Sequence, residues 1–359
     1  MKRLLLLTCL AACSRGSSSS LTFGASGAWS EGYGEMNHRG IELARDEINA
    51  RPERQGHPLV IRWQNDSGSG ALASRIAQSF VDSSEVMAVI GHVTSGAMVS
   101  ASPIYDGHIA AVATTATSPE LTGISKWVFR VIASDSANGV DLAKFNTRRG
   151  RKRAAILYEN NTYGRGLADA FQRNFTGEVV SIDPIGEGKD QSFEPFVSYY
   201  KLHKPDVVFV AGTDASGLVF LKEARRQQLS ADLVGGDGWS GLNVDTLRSE
   251  GVYTGVPFTS LDPRPEAQKF VSAFLVKFHM QPDHNAALAY DATMLVYQAA
   301  KDASSRRQVR DRLAALTPET AYHGVTGSIS FLPDGDPVGK TVVMTRMEHG
   351  QLRVAESTR

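Results

Sequence analysis

Short apolar runs alternate with amphipathic stretches along most of this chain, and that alternation limits the folds it can adopt. Residues 86–90, 154–158 and 207–211 resemble buried strands, whereas residues 163–175 carry apolar side chains at helical spacing. Alternating strands and helices form βαβ units, in which helices cover a parallel sheet. The units fall into two sets that meet at roughly residue 131. The pattern therefore predicts an α/β fold with two lobes.

The C-terminal part of the chain departs from this alternation. Residues 265–316 have mostly helical spacing and include a long apolar stretch at 286–303. Residues 325–331 and 341–346 alternate like strands on either side of a turn at 333–336. We therefore expect the chain to return to the two lobes and to add elements to them.

The N-terminus has the features of an export signal. Two basic residues precede an apolar run at residues 4–10. This run is shorter than the roughly 20 residues that a transmembrane helix needs. Residues 10–13, Leu-Ala-Ala-Cys, resemble the lipobox of bacterial lipoproteins. That resemblance implies cleavage before Cys13 and attachment of a diacylglycerol to its sulfur.

An ordinary signal peptide with an incidental cysteine is the alternative to a lipoprotein signal. The Ser-rich stretch at residues 14–20 favours the lipoprotein, because Ser/Gly-rich segments form flexible tethers. We therefore assign residues 1–12 to a signal peptide and residues 13–20 to a lipidated cysteine and its tether.

Charge and cysteine content restrict the partners of the chain. It has 38 basic and 38 acidic residues, and removal of Lys2 and Arg3 with the signal leaves 36 against 38, a net charge of −2. This gives no electrostatic footprint for nucleic acid or for an anionic membrane surface, so the expected membrane contact is the lipid anchor alone. The two cysteines are Cys9 and Cys13, so the mature body would have no free thiol and no disulfide.

Motifs for catalysis, cofactors and metals are weak or missing. Residues 68–73 fit G-x-G-x-x-A loosely, but they follow the second candidate strand instead of opening the domain. The histidines lack H-E-x-x-H pairing, and Gly238-Trp239-Ser240-Gly241 lacks the last glycine of a G-x-S-x-G elbow. We therefore predict a binding protein and not an enzyme, with no cofactor and no metal.

Four loops that follow predicted parallel strands carry chemistry suited to a small polar ligand. They are residues 90–96, 114–120, 160–164 and 235–239. Ligands bind at this end of the strands in open α/β sheets. The first loop leads into a helix N-terminus, which attracts anions, and Asp237 in the fourth loop offers a carboxylate. Each loop also has a purely structural interpretation, for example Ser95 as a helix cap.

Several short segments have an order and spacing that are specific when taken together. They are Tyr33-Gly34-Glu35, residues 39–44 and 47–50, Val89-Ile90-Gly91-His92 with Ser95-Gly96, residues 116–122 and 163–168, Gly235-Gly236-Asp237-Gly238, Ala289-Tyr290-Asp291-Ala292 and Gly324-Val325-Thr326-Gly327. This set resembles the leucine/isoleucine/valine-binding branch of the type I periplasmic solute-binding proteins. The resemblance extends over about residues 21–349.

The resemblance implies two Rossmann-like lobes joined by three hinge strands, with the ligand in the cleft between the lobes. On this basis we expect an N-terminal lobe of residues 21–131 plus 257–338. The C-terminal lobe would comprise residues 132–256 plus 339–359. The two lobes would close on the ligand.

The resemblance also implies a role for each loop of the N-terminal lobe. The Ser95 hydroxyl and nearby backbone N–H groups would hold the α-carboxylate of the ligand. Thr117 would contribute its hydroxyl, with the backbone of Thr115 and Ala116 beside it.

The remaining roles implied by the resemblance involve aromatic and acidic side chains. Tyr163 and Asp237 of the C-terminal lobe would hold the α-ammonium through charge-assisted hydrogen bonds. Tyr33 and Trp29 would line the side-chain pocket, with Trp239 as a further candidate.

One position departs from the leucine-type pattern and leaves the ligand open. Where those members carry an aromatic residue after a strand and a glycine, this chain has Gly212-Thr213-Asp214. We expect a monomeric, exported, lipid-anchored solute-binding component of an ABC importer, located in the periplasm or at the cell surface. Its partners would be a permease, an ATPase and an amino acid or a close relative. The alternatives are a ligand-sensing receptor of the same fold and a structural lipoprotein that has lost its ligand.

Overall fold

The computed structural model describes residues 20–356. The predicted signal peptide, Cys13 and the tether up to residue 19 lie outside the described residues. Within residues 20–356, no helix combines the length and the apolar character that crossing a bilayer requires.

The first lobe is built on a parallel sheet. Its strands are β1 (Leu21–Gly27), β2 (Leu59–Asn65), β3 (Val86–Gly91), β4 (Ala111–Ala113) and β5 (Val128–Arg130). They lie in the order β2-β1-β3-β4-β5 and pair in parallel throughout. The helices between them are α1 (Gly32–Asn49), α2 (Gly70–Asp82) and α3 (Ser95–Tyr105), with 3-10 turns at Pro52–Arg54 and Pro119–Leu121.

The second lobe contains a larger sheet. Its strands are β6 (Arg153–Glu159), β7 (Glu178–Ile185), β8 (Val207–Ala211), β9 (Asp232–Gly235), β10 (Tyr253–Val256), β13 (Val343–Glu348) and β14 (Gln351–Glu356). They lie in the order β14-β13-β10-β9-β8-β6-β7, with β13 and β14 antiparallel at one edge. Its helices are α4 (Asp135–Arg148), α5 (Thr162–Asn174), α6 (Glu194–His203), α7 (Asp214–Arg226) and α8 (Thr246–Ser249), with a 3-10 helix at Asp237–Val244.

The remaining elements return to the first lobe. They are α9 (Pro265–Phe278), α10 (His284–Ala300), α11 (Arg306–Ala314), a 3-10 turn at Pro318–Thr320 and the hairpin of β11 (Tyr322–Gly324) and β12 (Gly327–Ile329). Helix α10 is buried almost all round, and its Leu288 and Leu295 share a core cluster with Phe23 and Ile90 of the first sheet. A helix with this burial reads as a continuous apolar run in the sequence.

Each sheet carries a core on both of its faces. The first sheet packs against α1 and α10 on one side and against α2 and α3 on the other, where Phe80 and Tyr105 are buried. Phe209 and Phe220 lie on opposite faces of the second sheet. Burial on both faces is what parallel sheets require, and it explains the unbroken apolar runs of strands such as β8.

The chain passes between the two sheets three times, after Arg130, after Val256 and before Val343. The resemblance implied hinge strands here. Within the described residues the stretches between the sheets contain no named strand, although the third has a single β-bridge between Phe331 and Pro337 and its Gly335 carbonyl accepts from the N–H of Arg130 (3.1 Å). The strands predicted at residues 325–331 and 341–346 correspond to the shorter β12 and to β13. The exact residues that divide the lobes, after 131, 256 and 338, stay predictions.

Candidate ligand-binding site

The hydroxyl of Ser95 ties two loops of the first sheet together. Ser95 opens α3, and its buried Oγ accepts hydrogen bonds from the backbone N–H groups of Thr117 (3.2 Å) and Ser118 (3.1 Å). A hydroxyl that accepts two hydrogen bonds still has its own hydrogen to donate. Among the described residues, no side chain caps α3 at Thr94, so the N–H groups of the first turn stay open. This point is therefore suited to an anion.

The loop after β4 offers hydroxyl groups and a stretch of backbone. The Thr115 hydroxyl is already used, because it donates to the carbonyl of Val93 (3.1 Å) and accepts from the amide of Asn37 (3.4 Å). Thr117 differs: its buried hydroxyl lies beside the carboxyl of Asp135, and within residues 20–356 it meets no partner with good hydrogen-bond geometry. Thr117 is thus available to a ligand, as is the buried hydroxyl of Thr114 in the same loop, which also has no partner among the described residues.

A buried guanidinium holds this loop from behind. Arg130 ends β5, and its Nη1 donates to the carbonyls of Thr117 (2.9 Å) and Ser118 (2.8 Å). Its Nη2 donates to the Thr122 hydroxyl (2.7 Å), and its Nε donates to Asp336 Oδ1 (2.7 Å) in the third crossing segment. Four acceptors around one guanidinium give the loop a defined shape independent of any ligand.

A second buried network lies beneath the loop that leads into α3. His92 Nδ1 is 2.6 Å from Asp66 Oδ2, and His92 Nε2 is 2.8 Å from the Tyr105 hydroxyl. Asp66 also accepts from the Ser26 hydroxyl (3.0 Å) and the Gly68 N–H (2.9 Å). Burial alone would raise the pKa of Asp66, but the hydrogen bonds from its neighbours, with His92 first among them, lower that pKa below its ordinary value. No local sequence pattern predicts this network, because its members come from separate parts of the chain.

The second lobe contributes a tyrosine and an aspartate that are bonded to each other. Tyr163 lies in the first turn of α5, and its hydroxyl donates to Asp237 Oδ1 (2.9 Å) and accepts from the N–H of Gly238 (3.2 Å). Asp237 is 6% exposed at the start of its 3-10 helix. Burial raises the pKa of Asp237, although the nearby His284 and the Tyr163 hydrogen bond oppose the rise.

Asp135 joins the two halves of the site, and sequence reasoning missed it. It is fully buried at the start of α4, and its backbone N–H donates to the carbonyl of Thr117 (2.8 Å). One oxygen accepts from Asn138 (3.4 Å), whereas the other has no partner among the described residues. Burial, together with the charge of Asp237, holds the pKa of Asp135 well above its ordinary value. The signal was available, since Asp135 follows β5 as the other loops follow their strands.

Tyr33 and Trp29 differ in how they meet the cleft. The phenol of Tyr33 is half-buried, and its pKa is raised by burial and by nearby carboxylates that include Glu159 and Asp214 of the second lobe. Tyr33 therefore lies close enough to the second lobe for the charges of that lobe to act on it. The indole N–H of Trp29 donates to the carbonyl of Gln64 (2.7 Å), and its ring packs edge-on against neighbours of the first lobe.

Two residues near the second lobe's strands are not free to contact a ligand. Trp239 is fully buried in a core cluster with Phe220, which removes it as a lining candidate. Thr213 donates from its hydroxyl (2.7 Å) and its N–H (3.0 Å) to Oε1 of the buried Glu159, which Ser216 also contacts (2.7 Å). The hydroxyl hydrogen of Thr213 is therefore not available to a ligand.

The two lobes touch across the cleft. A β-carbon at Gly166 of α5 would lie 2.7 Å from Pro119 Cδ of the first lobe, and one at Gly96 of α3 would lie 3.6 Å from Thr162 Oγ1. Asn285 of α10 reaches Ser240 Oγ of the second lobe at 3.4 Å.

Hydrogen bonding and charge dominate the chemistry of the cleft. Ser95 binds the backbone of Thr117, and the Thr117 hydroxyl lies beside the carboxyl of Asp135. The charge of Asp135 acts in turn on Tyr163, and the charge of Asp237 acts on Asp135. Within residues 20–356, no group of three or more His, Cys, Asp or Glu side chains is placed to share a metal ion. The structure thus brings together four of the predicted site residues around one that was missed, and their roles toward a ligand stay predictions.

Comparison with known proteins gives a family for this arrangement. Residues 22–351 match the model of a periplasmic binding protein family. A Leu/Ile/Val-binding protein homolog from Brucella abortus is 26% identical over 329 residues, which cover 89% of this chain and 87% of that protein.

Solved structures agree with the sequence match. The substrate-binding protein of a branched-chain amino acid transporter from Streptococcus pneumoniae, in complex with isoleucine, superposes with a TM-score of 0.86 at 27% identity and covers 94% of this chain and 99% of that chain. A solute-binding protein from Rhodopseudomonas palustris in complex with 3,4-dihydroxybenzoic acid shares the fold, with a TM-score of 0.83 at 20% identity over 93% of this chain and 95% of that chain. This chain belongs to the periplasmic binding protein family, whose members are solute-binding proteins of ABC transporters and not enzymes.

Proposed function

We propose that this chain is the lipid-anchored, extracytoplasmic solute-binding protein of an ABC importer, and that it binds an amino acid or a close relative by closure of its two lobes. Its membrane contact is the lipid on Cys13, and its protein partners are a permease and an ATPase. It acts as a monomer, with one ligand between the lobes 21–131 plus 257–338 and 132–256 plus 339–359.

The observation that carries the proposal is the opposition of donors and carboxyls within one cleft. On one side, the Ser95 hydroxyl, the first turn of α3 and the Thr117 hydroxyl offer hydrogen-bond donors to an α-carboxylate. On the other side, the buried carboxyls of Asp135 and Asp237 suit an α-ammonium, with Tyr163 holding Asp237 in place. The head of an α-amino acid carries both of the charges that these two sets of groups would bind.

An ammonium group also resolves an energetic problem of the cleft. Burial raises the pKa of both Asp135 and Asp237, because two carboxylates without a cation are costly to keep away from water. A ligand ammonium between them would offset that cost through charge-assisted hydrogen bonds. A simple aromatic acid, such as the ligand of the R. palustris protein, would leave both carboxyls without a counter-charge. The site therefore favours an amino compound.

The ligand should bind the closed form of the protein more tightly than the open form. The donors belong to the first lobe, whereas Tyr163 and Asp237 belong to the second, so a ligand contacts both sets at once only when the lobes meet. Binding then shifts the population toward the closed form because the ligand has more partners there.

A sensor protein of the same fold is the main alternative to a transport protein. It would bind the same ligand at the same residues but would pass the signal to a different partner. A structural lipoprotein without a ligand is less compatible with the chain, because the buried Asp135 and the unpaired Thr117 hydroxyl would then lower stability without a benefit.

A thermal-shift screen of the purified protein against α-amino acids, small amides and aromatic acids tests the proposal. A true ligand at 100 times its dissociation constant adds about 2.7 kcal/mol to the free energy of unfolding. Asp237→Ala should weaken binding of that ligand by roughly 10- to 100-fold, the value of a hydrogen bond to a charged group. Undiminished affinity in this variant would remove the ammonium-holding role of Asp237. A screen without any stabilising compound would favour the structural lipoprotein.

A further inference from the structure

The wall of the cleft beyond Thr115 is polar where a pocket for an alkyl side chain would be apolar. Asn37 of α1 and Asn285 of α10 are both buried, and Asn37 Nδ2 points to Asn285 Oδ1 at 3.5 Å. Asn285 Nδ2 in turn reaches Ser240 Oγ of the second lobe at 3.4 Å. These three side chains form a polar chain from one lobe to the other, beside the Thr115 hydroxyl that also accepts from Asn37.

One end of the Asn37 amide has no partner. Its Nδ2 donates to the carbonyl of Tyr33 (2.9 Å), which settles the orientation of the amide because a carbonyl oxygen accepts and cannot donate. The opposite atom, Oδ1, is fully buried and unpaired among the described residues, as is Nδ1 of His284 beside Asn285. Buried polar atoms in folded proteins are almost always hydrogen-bonded, so an unpaired acceptor next to a binding site indicates a donor on the ligand.

Carboxyl groups surround the same part of the cleft. Asp214 at the start of α7 lies between the lobes, with its Oδ2 3.7 Å from the place of a β-carbon on Gly32 of α1. Its pKa is raised by burial, and the nearby Asp283 and Glu31 raise it further, against the opposing charge of Lys189. Acceptors and negative charge therefore predominate at this contact between the lobes, where Asp283 Oδ2 also accepts from Asn285 Nδ2 (2.9 Å).

We infer, on the basis of the proposed function, that the bound solute carries N–H donors on its side chain, as an amide or a basic group does, in place of the branched alkyl group of leucine. A leucine side chain would cover Asn37 Oδ1 and leave it unpaired, whereas an amide or ammonium nitrogen would donate to it. Thr213 fits the same conclusion, because its hydroxyl is held by Glu159 and its small size leaves room for a longer polar group. Sites with buried polar groups discriminate strongly against analogues that lack the matching group.

Calorimetric titration of the full chain, purified in detergent, with matched amino acids tests the inference. L-asparagine and L-leucine have nearly the same shape and differ in side-chain N–H donors, and L-lysine and L-norleucine form a second pair. We expect the donor-bearing member to bind at least about ten-fold more tightly in one pair or both, the effect of one buried group left unpaired. The asparagine pair reports an amide ligand, and the lysine pair reports a basic one. L-aspartate, which has the shape of asparagine and the wrong charge, should bind more weakly than asparagine.

The variant Asn37→Leu tests whether the preference for N–H donors depends on Asn37, and a matched control distinguishes this role from a general effect on stability. It should reduce the preference for the donor-bearing ligand toward that of its alkyl partner, with little change in the affinity for leucine or norleucine. Asn146→Leu is the matched control. Asn146 is also a fully buried asparagine whose Oδ1 is unpaired among the described residues, but it lies near the C-terminal end of α4, the end opposite Asp135. It should leave the preference unchanged.

The outcomes distinguish this inference from the proposed function. If leucine and norleucine bind as tightly as their partners, or more tightly, the inference is wrong while the amino acid-binding function stands. If no α-amino acid binds, the proposed function is wrong and the inference fails with it. Tighter binding of asparagine or lysine to the wild-type chain supports the inference even if Asn37→Leu does not fold.

Discussion

At the scale of single residues, burial of Asp135 and Asp237 lowers the stability of the folded protein, and the same two carboxyls would bind the ligand. Burial raises the pKa of both, so the folded protein holds protons that the unfolded chain would release. Such groups contribute stability below their unfolded pKa, near the ordinary value of 3.8, and this stability is lost as the pH rises through the raised pKa. The ligand-free protein therefore bears the cost of burying these two carboxyls, a cost that ligand binding would offset, and this is a common trade-off between stability and function.

Neutralising Asp135 should separate these two effects. We expect Asp135→Asn to raise the melting temperature of the ligand-free protein at pH 7 by roughly 2–4 °C, the shift that about 1 kcal/mol produces in a large domain. The same variant should lose most of the additional shift on ligand addition. Differential scanning fluorimetry with and without ligand measures both, and Asp169→Asn, at a half-exposed carboxylate, is the control with little effect on either. A lower melting temperature of the ligand-free Asp135→Asn protein would contradict the expectation.

The same carboxyls predict how affinity depends on pH. As the pH falls through their raised pKa values, protonation removes the negative charge that holds the ligand ammonium, so affinity should decrease from neutral toward acidic pH. Binding in this range should also release protons. Isothermal titration calorimetry between about pH 5 and pH 8 in buffers of different ionisation enthalpy measures both quantities. Asp135→Asn should flatten the profile, and an unchanged profile in that variant would assign the dependence to another group.

The sequence indicated most of the candidate site at this scale, and its omissions have a common cause. Ser95, Thr117, Tyr163 and Asp237 each follow a predicted parallel strand, so a rule about one loop at a time finds them. Asp135 obeys the same rule, but it also begins α4 of the second lobe, so the sequence pattern there was interpreted as the boundary between the lobes and not as a binding loop. Asn37 and Asn285 lie on helices and meet only in space, and Trp239 looks like a loop residue although its ring enters the core. Spatial neighbours of this kind leave no local pattern in one sequence.

At the scale of elements, the helix α3 and its preceding loop depend on the network of His92 and Asp66. Hydrogen bonds lower the pKa of Asp66, so its contribution to stability is present above the ordinary pKa of 3.8 and is lost as the pH falls through the lowered value. The carboxylate of Asp66 bonds to Ser26 of β1, to the backbone of Gly68 just before α2 and to His92 just after β3. These bonds hold the loop before α3 in position relative to β1 and α2.

Replacing this carboxylate should destabilise the protein as a whole. We expect Asp66→Asn to reduce the free energy of unfolding at pH 7 by about 2–4 kcal/mol, because buried donors lose a charged acceptor. The difference from the wild type should narrow in acid, where the wild type loses the same contribution. Urea unfolding at several pH values measures this, with Tyr105→Phe as a milder variant that removes one hydrogen bond and costs about 1 kcal/mol. A difference that grows in acid would contradict the role given to Asp66.

Contact between helices should control closure. A side chain at Gly166 of α5 would collide with Pro119, so Gly166→Leu should hold the lobes apart and weaken ligand binding at least ten-fold, by about 1.4 kcal/mol or more. Leucine is a better helix former than glycine, so the ligand-free protein should fold normally. Titration calorimetry and small-angle scattering measure affinity and closure. The control is Gln172→Leu on the exposed face of the same helix. Equal affinities of the two variants would argue against closure at this contact.

The elements themselves were largely predictable because βα alternation has few solutions. Parallel strands need helical connections, and two sets of such units predicted the two sheets that the structure contains. The edge strand β14 and the irregular crossings were not predicted. Strand β14 lies at the sheet edge and pairs with the strand directly before it, β13, and its short, half-polar sequence gives only a weak strand signal. The crossings depend on two separate sheets, and hydrophobic periodicity does not report such neighbours.

At the scale of the whole molecule, the lobes and the anchor have separate tasks. The proposed anchor acts at Cys13, outside the described residues, whereas every residue of the candidate site lies in the body. We therefore expect Cys13→Ser to move the protein from the membrane fraction to the soluble exported fraction, with ligand affinity unchanged. Cell fractionation, detergent phase partition and titration of the purified variant measure this. Cys9→Ser is the matched control, and retention of the Cys13→Ser protein in the membrane would contradict the lipid anchor.

The guanidinium of Arg130 has a consequence for the time course of binding. Because it fixes the loop of Thr117 and Ser118 to the third crossing segment, half of the site exists before any ligand arrives. A ligand can therefore dock on the first lobe at a rate set by diffusion, and the second lobe then determines how long it stays. Changes at Tyr163 or Asp237 would accordingly alter the residence time of the solute far more than its association rate. Delivery to a permease would then depend on the rate at which the second lobe opens.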